Sequence, residues 1–241
     1  MRPLSKTGNY ISTRIGRAIA DYKLIENKDR ILVAVSGGKD SMSLLKLLNE
    51  RKKWAPVQYE LIAMHIETDY DCTSAAAKRA LEKFFEDNGV KYHFEKIKIR
   101  DKQNNFSCFW CSWNRRKALF RAAKKFKCNK IALGHHKDDI IETLLLNMFY
   151  QGEFSAMNPR QELFKGKLVI VRPLCYVEEK YTREFAKESN FPAQVCRCPN
   201  SADSKRKVMK DFIKKLERDC KDVRTNVYRS MSRVNREYLR V

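Results

Sequence analysis

Residues 31–48 read Ile31-Leu32-Val33-Ala34-Val35-Ser36-Gly37-Gly38-Lys39-Asp40-Ser41-Met42-Ser43-Leu44-Leu45-Lys46-Leu47-Leu48, and this stretch decides the fold. The first five residues form an apolar run that reads as a strand, and the run from Met42 reads as a helix. Strand, glycine turn and helix start, in that order, build an anion site. The glycines permit positive φ and close backbone approach. The N–H groups of the turn and of the helix start then point at the anion. Lys39 adds a point charge, and Ser36 and Ser41 add hydroxyls. A plain strand–turn–helix connection needs only the glycine pair, so the lysine, aspartate and flanking serines mark this turn as functional. The Walker A pattern GxxxxGK[ST] is absent.

Outward from this turn, strands are expected at 59–66, 92–99 and 130–133, alternating with helices at 74–87, 108–126 and 140–149. A helix at 13–26 is expected to open the chain. Regular strand–helix alternation predicts an α/β fold, a doubly wound parallel sheet with right-handed crossovers. Ligands then lie outside the carboxyl ends of the strands. Beyond Gly152 the pattern weakens. Residues 168–171 read as a final strand, and 207–239 as basic helix. The expected organisation is an N-terminal helical segment (1–28), the α/β domain (29–175) and a C-terminal segment (176–241).

Lys and Arg total 50 against 29 Asp and Glu, a formal charge of +21. Residues 115–130 hold eight basic and no acidic residues, and 205–240 hold thirteen basic against five acidic. Phosphate contacts dominate nucleic-acid affinity, so a polyanion partner accounts for this excess. Neither stretch has the clean apolar face that membrane-surface binding wants. No run approaches the ~18 apolar residues of a membrane span, and Met1–Lys6 lacks the apolar segment of a signal peptide. The chain is therefore expected to be cytoplasmic, with no membrane partner.

Gly134-His135-His136-Lys137-Asp138-Asp139 places two imidazoles and two carboxylates at a strand-to-helix junction. Mg²⁺ takes one or two carboxylates plus phosphate oxygens, and Asp138 and Asp139 are suited to supply them. Helix capping accounts for one aspartate, not for both with the histidine pair. Eight cysteines are present, and a disulfide framework is not expected in a cytosolic enzyme. Cys128 and Cys175 are expected to pack as small hydrophobes. Cys108-Phe109-Trp110-Cys111 instead pairs two thiols at a helix start, followed by Arg115, Arg116 and Lys117. Cys196-Arg197-Cys198 pairs two more. Four thiols in two pairs admit a zinc site, a redox pair or an iron–sulfur cluster.

Ser36–Ser41 matches the SGGxDS signature of the PP-loop ATP pyrophosphatases, a resemblance that implies adenylation of a carbonyl oxygen with pyrophosphate leaving. The set becomes narrower with Cys-x₂-Cys followed by basic residues, GHHxDD with Glu142-Thr143-Leu144, Asn147-Met148-Phe149-Tyr150 and Arg172-Pro173-Leu174. Together these resemble the TtcA-type tRNA 2-thiocytidine sulfurtransferases, over roughly residues 13–234. The resemblance implies ATP, Mg²⁺ and a [4Fe-4S] cluster as cofactors. It implies tRNA as partner, and a sulfur donor such as a cysteine desulfurase or sulfide. A homodimer is one arrangement compatible with it. Carried over by position, it implies Lys39, Asp40 and Asp138 as catalytic residues. Cofactor-binding residues are then Ser36, Gly37, Gly38, Lys39, Asp40, Ser41, Met64, Gly134, His135 and Asp139.

The implied cluster ligands are Cys108, Cys111 and one cysteine of the later pair. That subfamily shows Cys-x₂-Cys where this chain has Cys196-Arg197-Cys198. Anchoring on Phe191-Pro192 selects Cys196. The Cys-Pro-Asn-Ser context, similar to that of the TtuA-type 2-thiouridine enzymes, selects Cys198, the ligand expected here. The chain lacks the paired zinc knuckles of the TtuA type. The implied chemistry is adenylation of the C2 oxygen of a pyrimidine, cytidine 32 of the anticodon loop, and its replacement by sulfur carried on the cluster's open iron. Alternatives are thiolation of another base to 2-thiouridine, a lysidine-forming type of tRNA ligase, and a non-enzymatic metal- or redox-sensing RNA-binding protein. The paired thiols count against the ligase, and the intact glycine turn counts against the binding protein.

Overall fold

In the computed structural model the described residues are 4–69, 74–99, 108–192 and 205–238, the side chains at 108 and 109 excepted. Helix α1 (Lys6–Tyr22) is capped by Ser5, whose hydroxyl accepts from the Gly8 N–H. It is followed by β1 (Asp29–Ala34), α2 (Lys39–Arg51), β2 (Tyr59–Thr68), α3 (Ala75–Asp87), β3 (Lys91–Ile97), α4 (Cys108–Lys125) and β4 (Lys130–Ala132). Then come α5 (Lys137–Gln151), β5 (Arg160–Leu163), β6 (Leu168–Val171), α6 (Glu179–Glu188), α7 (Lys205–Leu216), α8 (Val223–Ser230) and a 3₁₀ turn, Arg236–Tyr238.

The six strands form one sheet in the order β3-β2-β1-β4-β6-β5. All neighbours are parallel except β5, which pairs antiparallel with β6 at the edge. Leu32, Ile62, Met64 and Ile131 on one face pack under Ala122 and Ala123 of α4. The alternate residues Ile31, Val33 and Ala63 are equally buried, so the central strands are covered on both faces. That is why they read as continuous apolar runs rather than alternating ones.

Among the described residues, 4–136 and 159–192 form one compact unit, which holds the whole sheet. Residues 137–158 and 205–238 form a second. The expected segment 29–175 is thus divided: α5 leaves it to join α7 and α8. The core of the second unit is Ile141 and Leu145 of α5 against Met209 and Ile213 of α7.

The doubly wound α/β class stands, with three adjustments. The opening helix starts at Lys6, not near residue 13, because Ser5 supplies the cap. Strand β5 and helix α6 were not expected: β5 is a short polar edge strand, and Glu179–Glu188 is mostly polar. The single basic helix expected at 207–239 is two, α7 and α8, separated by a break after Leu216.

Candidate active site

The turn after β1 is built from its own hydrogen bonds. Gly37 has φ +84°, a conformation that glycine adopts without strain. The Ser41 hydroxyl donates to the Gly38 carbonyl (2.9 Å) and accepts from the Ser36 N–H (3.1 Å). The Ser36 hydroxyl accepts from the Gly38 N–H at 3.3 Å. Both serines therefore stitch the turn, a role beyond the hydroxyl donation expected of them. Gly38 is the N-cap of α2 and offers no side chain to its first-turn N–H groups, which leaves them for an anion.

Gly134, at the end of β4, lies against this turn. A Cβ there would fall 2.9 Å from the Ser41 nitrogen and 3.0 Å from its Cα. Gly134 is thus what lets the β4 end approach the start of α2. His135 beside it is half-buried and His136 is buried, with Nε2 4.0 Å from Asp40 Oδ1.

Lys39 and Asp40 are held by α6. The Lys39 ammonium sits 2.9 Å from Asp40 Oδ2 and 3.0 Å from Glu179 Oε1. Burial works against its charge, but Asp40 and Glu179 outweigh burial and hold its pKa above the ordinary lysine value. The buried Thr182 hydroxyl donates to Asp40 Oδ1 at 2.5 Å, and Glu179 also pairs with Arg183. Glu179 and Thr182 are site residues that sequence reading missed. Their one sequence signal is an acidic residue in the first turn of a helix soon after Arg172-Pro173-Leu174. A cavity of about 660 Å³ opens beside the turn, lined by Gly37, Gly38, Lys39 and Asp40 on one side and by Arg183, Lys187 and Phe191 on the other. That volume suits a nucleotide-sized ligand.

Met64 is buried in the sheet core, and its carbonyl accepts from the Val35 N–H. Its neighbour His65 is also buried. Burial pushes its pKa down, and the neutral ring donates from Nδ1 to the Val35 carbonyl at 2.7 Å. Arg172 follows β6; burial lowers its guanidinium to about 10, with Arg116 adding to the effect.

In the second unit, the junction residues are claimed by the C-terminal helices. Asp138 is ion-paired with Arg224, whose other nitrogens bind Glu217 at 2.6 and 3.0 Å. Asp139 Oδ1 accepts from Arg206 at 3.0 Å, and Lys137 donates to Thr225 at 3.1 Å. Burial disfavours the Arg224 charge, yet Glu217 and Asp138 raise its pKa. Among the described residues, no group of three or more His, Cys, Asp and Glu side chains forms a metal site.

Cys111 is half-buried in the first turn of α4, against the cluster of Ile97, Ile99 and Ala118. Position 108 is three residues earlier on the same helix, a spacing that shares one helix face. Cys72, Cys196 and Cys198 lie outside the described residues. Cys128 and Cys175 are buried as expected, and burial raises the Cys128 thiol pKa. Within 115–130, Arg116, Lys117, Lys124 and Lys125 are exposed, but Lys130 is not a surface cation. It is buried between Asp29 (2.7 Å) and Glu26 (2.8 Å). No helix among the described residues is long and apolar enough to cross a membrane.

The PP-loop domain family matches residues 9–224. The tRNA-cytidine(32) 2-sulfurtransferase of Geotalea uraniireducens is 41% identical over 237 residues, covering 95% of this chain and 93% of that protein. The chain belongs to this PP-loop sulfurtransferase family. The Geobacter metallireducens tRNA-cytidine(32) 2-sulfurtransferase, also 41% identical, covers 95% of this chain and 91% of its own length. Among solved structures, the U34-tRNA thiolase NcsA from Methanococcus maripaludis, determined with its [4Fe-4S] cluster, has a TM-score of 0.77. It is 22% identical and covers 97% of this chain and 80% of that one, a likeness of fold. The turn from Ser36 to Ser41 lies within the residues 9–224 that the PP-loop domain family matches.

Proposed function

We propose that this protein is an ATP-dependent tRNA sulfurtransferase that replaces the C2 oxygen of a pyrimidine, cytidine 32, with sulfur. The observation that carries this reading is the near-full-length match to tRNA-cytidine(32) 2-sulfurtransferases, together with a PP-loop whose lysine and aspartate are held in place. The C2 oxygen attacks the α-phosphorus of ATP, the bond to the β-phosphate oxygen breaks, and pyrophosphate leaves with the electron pair. A sulfur nucleophile at the sulfide level then attacks C2, and AMP departs with the original oxygen.

The protein's part in the first step is position and charge. The α2 N–H groups and the Lys39 ammonium meet the phosphates, and the raised Lys39 pKa keeps that charge at neutral pH. Glu179 and Thr182 fix the side chains of Lys39 and Asp40. Mg²⁺, as counter-ion of the triphosphate, would be held by Asp40 together with phosphate oxygens. Asp138 acts through Arg224 to fix the start of α5. Cys108 and Cys111, one turn apart on α4, fit the soft thiolate donor set of an iron–sulfur cluster, with Cys198 as third ligand. Such a cluster supplies a sulfur carrier when bound. The exposed cations of α4 and α7 meet tRNA phosphates, and the anticodon-loop base is splayed out for reaction. The reaction takes place in the cytoplasm.

The test is nucleoside analysis of bulk tRNA from cells with and without this gene. Loss of 2-thiocytidine alone is expected. Unchanged 2-thiocytidine, or loss of a different thionucleoside, overturns the reading.

A further inference from the structure

The apolar seam between α5 and α7 continues past the core it builds. Ile141 and Leu145 are buried, and Phe149, at the next i+4 position of that stripe, is 59% exposed. On α7, Met209 and Ile213 are buried, while the adjacent Val208 and Phe212 are 54% and 40% exposed. The rings of Phe149 and Phe212 meet edge to face at 6.0 Å. Tyr150 is exposed as well, and the Lys205 ammonium lies 4.5 Å from its ring centroid. A contiguous exposed apolar patch marks an interaction surface.

The chemistry around this patch selects the partner. Helix α7, Lys-Arg-Lys-Val-Met-Lys-Asp-Phe-Ile-Lys-Lys-Leu, carries six cations and one carboxylate. A partner must therefore be flat and apolar at its centre and anionic around it. Unpaired nucleotides have that combination: bases stack on aromatic rings with little regard to sequence, while their phosphates meet lysines. The Lys205 ammonium over one face of the Tyr150 ring is a cation–π contact that holds a cation at the edge of the aromatic patch, where it can meet a flanking phosphate.

We propose that Phe149, Tyr150 and Phe212 form a stacking platform for unpaired bases of the substrate RNA, with Lys205 and its α7 neighbours on the flanking phosphates. The proposal rests on the tRNA reading above and adds to it a base-stacking surface on the second unit.

The experiment is a binding titration of the full chain against two RNAs of the same stem sequence. One is a hairpin with 2-aminopurine in its loop; the other is the blunt duplex. The proteins are the wild type, the double variant Phe149→Ala/Phe212→Ala and the double variant Phe149→Tyr/Phe212→Tyr, each checked by thermal melting. The alanine variant is expected to bind the hairpin about tenfold more weakly or worse and to lose the aminopurine quench. Duplex affinity should hold, and the tyrosine variant should bind like wild type. If the wild type binds the hairpin and the alanine variant binds it equally, the platform is refuted while the tRNA reading stands. If the wild type binds neither RNA nor tRNA, the tRNA reading fails with it. Equal losses on hairpin and duplex also refute stacking. So does a patch whose removal abolishes binding to anionic vesicles or splits a dimer while leaving hairpin affinity intact. Should the alanine variant fail to fold, the tyrosine variant keeps the test: failure of Phe149→Tyr/Phe212→Tyr to bind the hairpin at wild-type strength while melting normally refutes the platform.

Discussion

Replacing Gly134 with alanine probes the close packing of the β4 end on the turn from Ser36 to Ser41. The added Cβ would lie 2.9 Å from the Ser41 nitrogen, 3.0 Å from the Ser41 Cα and 3.1 Å from the Asp40 carbonyl carbon. These are backbone atoms at the start of α2, and ordinary contact begins at 3.4 Å, so this junction must shift by about half an ångström. Overpacking of this kind costs about 1–3 kcal/mol. At ~2 kcal/mol, a chain of this length loses roughly 4–8 °C in Tm. The same shift displaces an N–H aimed at phosphate, and loss of one hydrogen bond to a charged group costs about 1.5–3 kcal/mol. ATP affinity should therefore fall roughly ten- to a hundredfold. Gly89→Ala is the control: Gly89 has φ +60° but nothing within 4 Å. It should cost ~1–2 kcal/mol through backbone strain alone and leave ATP affinity at the wild-type value. Calorimetry of ATP binding with thermal melts checks both. If Gly134→Ala melts and binds ATP like wild type, the close packing of β4 on the PP-loop is wrong.

Lys39→Ala should abolish ATP-dependent AMP release while the protein stays folded; AMP release at the wild-type rate would refute the PP-loop role. Arg224→Ala removes the ion pair of Asp138, whose side chain is only 5% exposed, and should destabilise the protein by about 1.5–3 kcal/mol, the worth of a hydrogen bond to a charged group, read by urea unfolding. His65 has its pKa lowered by burial from an ordinary 6.5, so its neutral form contributes stability that is present above pH 6.5 and lost as pH falls through the folded value. Melting temperature should thus drop more between pH 7.5 and 5 for wild type than for His65→Asn. Cys198→Ser should lose iron and thiolation when purified without oxygen, whereas Cys196→Ser should keep its iron; the reverse pattern moves the ligand to Cys196.

The central strands were legible because burial on both faces leaves unbroken apolar runs, and the PP-loop because its glycines, lysine and serines are contiguous. Strand β5 was not legible: an edge strand of four residues, Arg160-Gln161-Glu162-Leu163, buries little and carries no apolar signature. Glu179 and Thr182 escaped for a different reason. Thr182 reaches Asp40 across 142 positions of sequence, and no local spacing encodes a pairing that only the packing of α6 on α2 creates. Asp138 and Asp139 were read as carboxylates for a metal from their density in one motif. Their partners Arg224 and Arg206 come from helices whose basic character read only as an RNA-facing surface. Lys130 shows the same effect in reverse: a basic run on paper includes one lysine that the fold turns inward to Asp29.

The most direct measurement of the central claim is a single-turnover reaction of anaerobically purified protein with ATP, unmodified tRNA and sulfide, following AMP, pyrophosphate and thionucleoside together. Adenylation followed by sulfur displacement predicts one AMP and one pyrophosphate for each 2-thiocytidine formed, and no product without ATP. Thiolation that proceeds without ATP, or ATP cleavage to ADP and phosphate in step with thiolation, would contradict it.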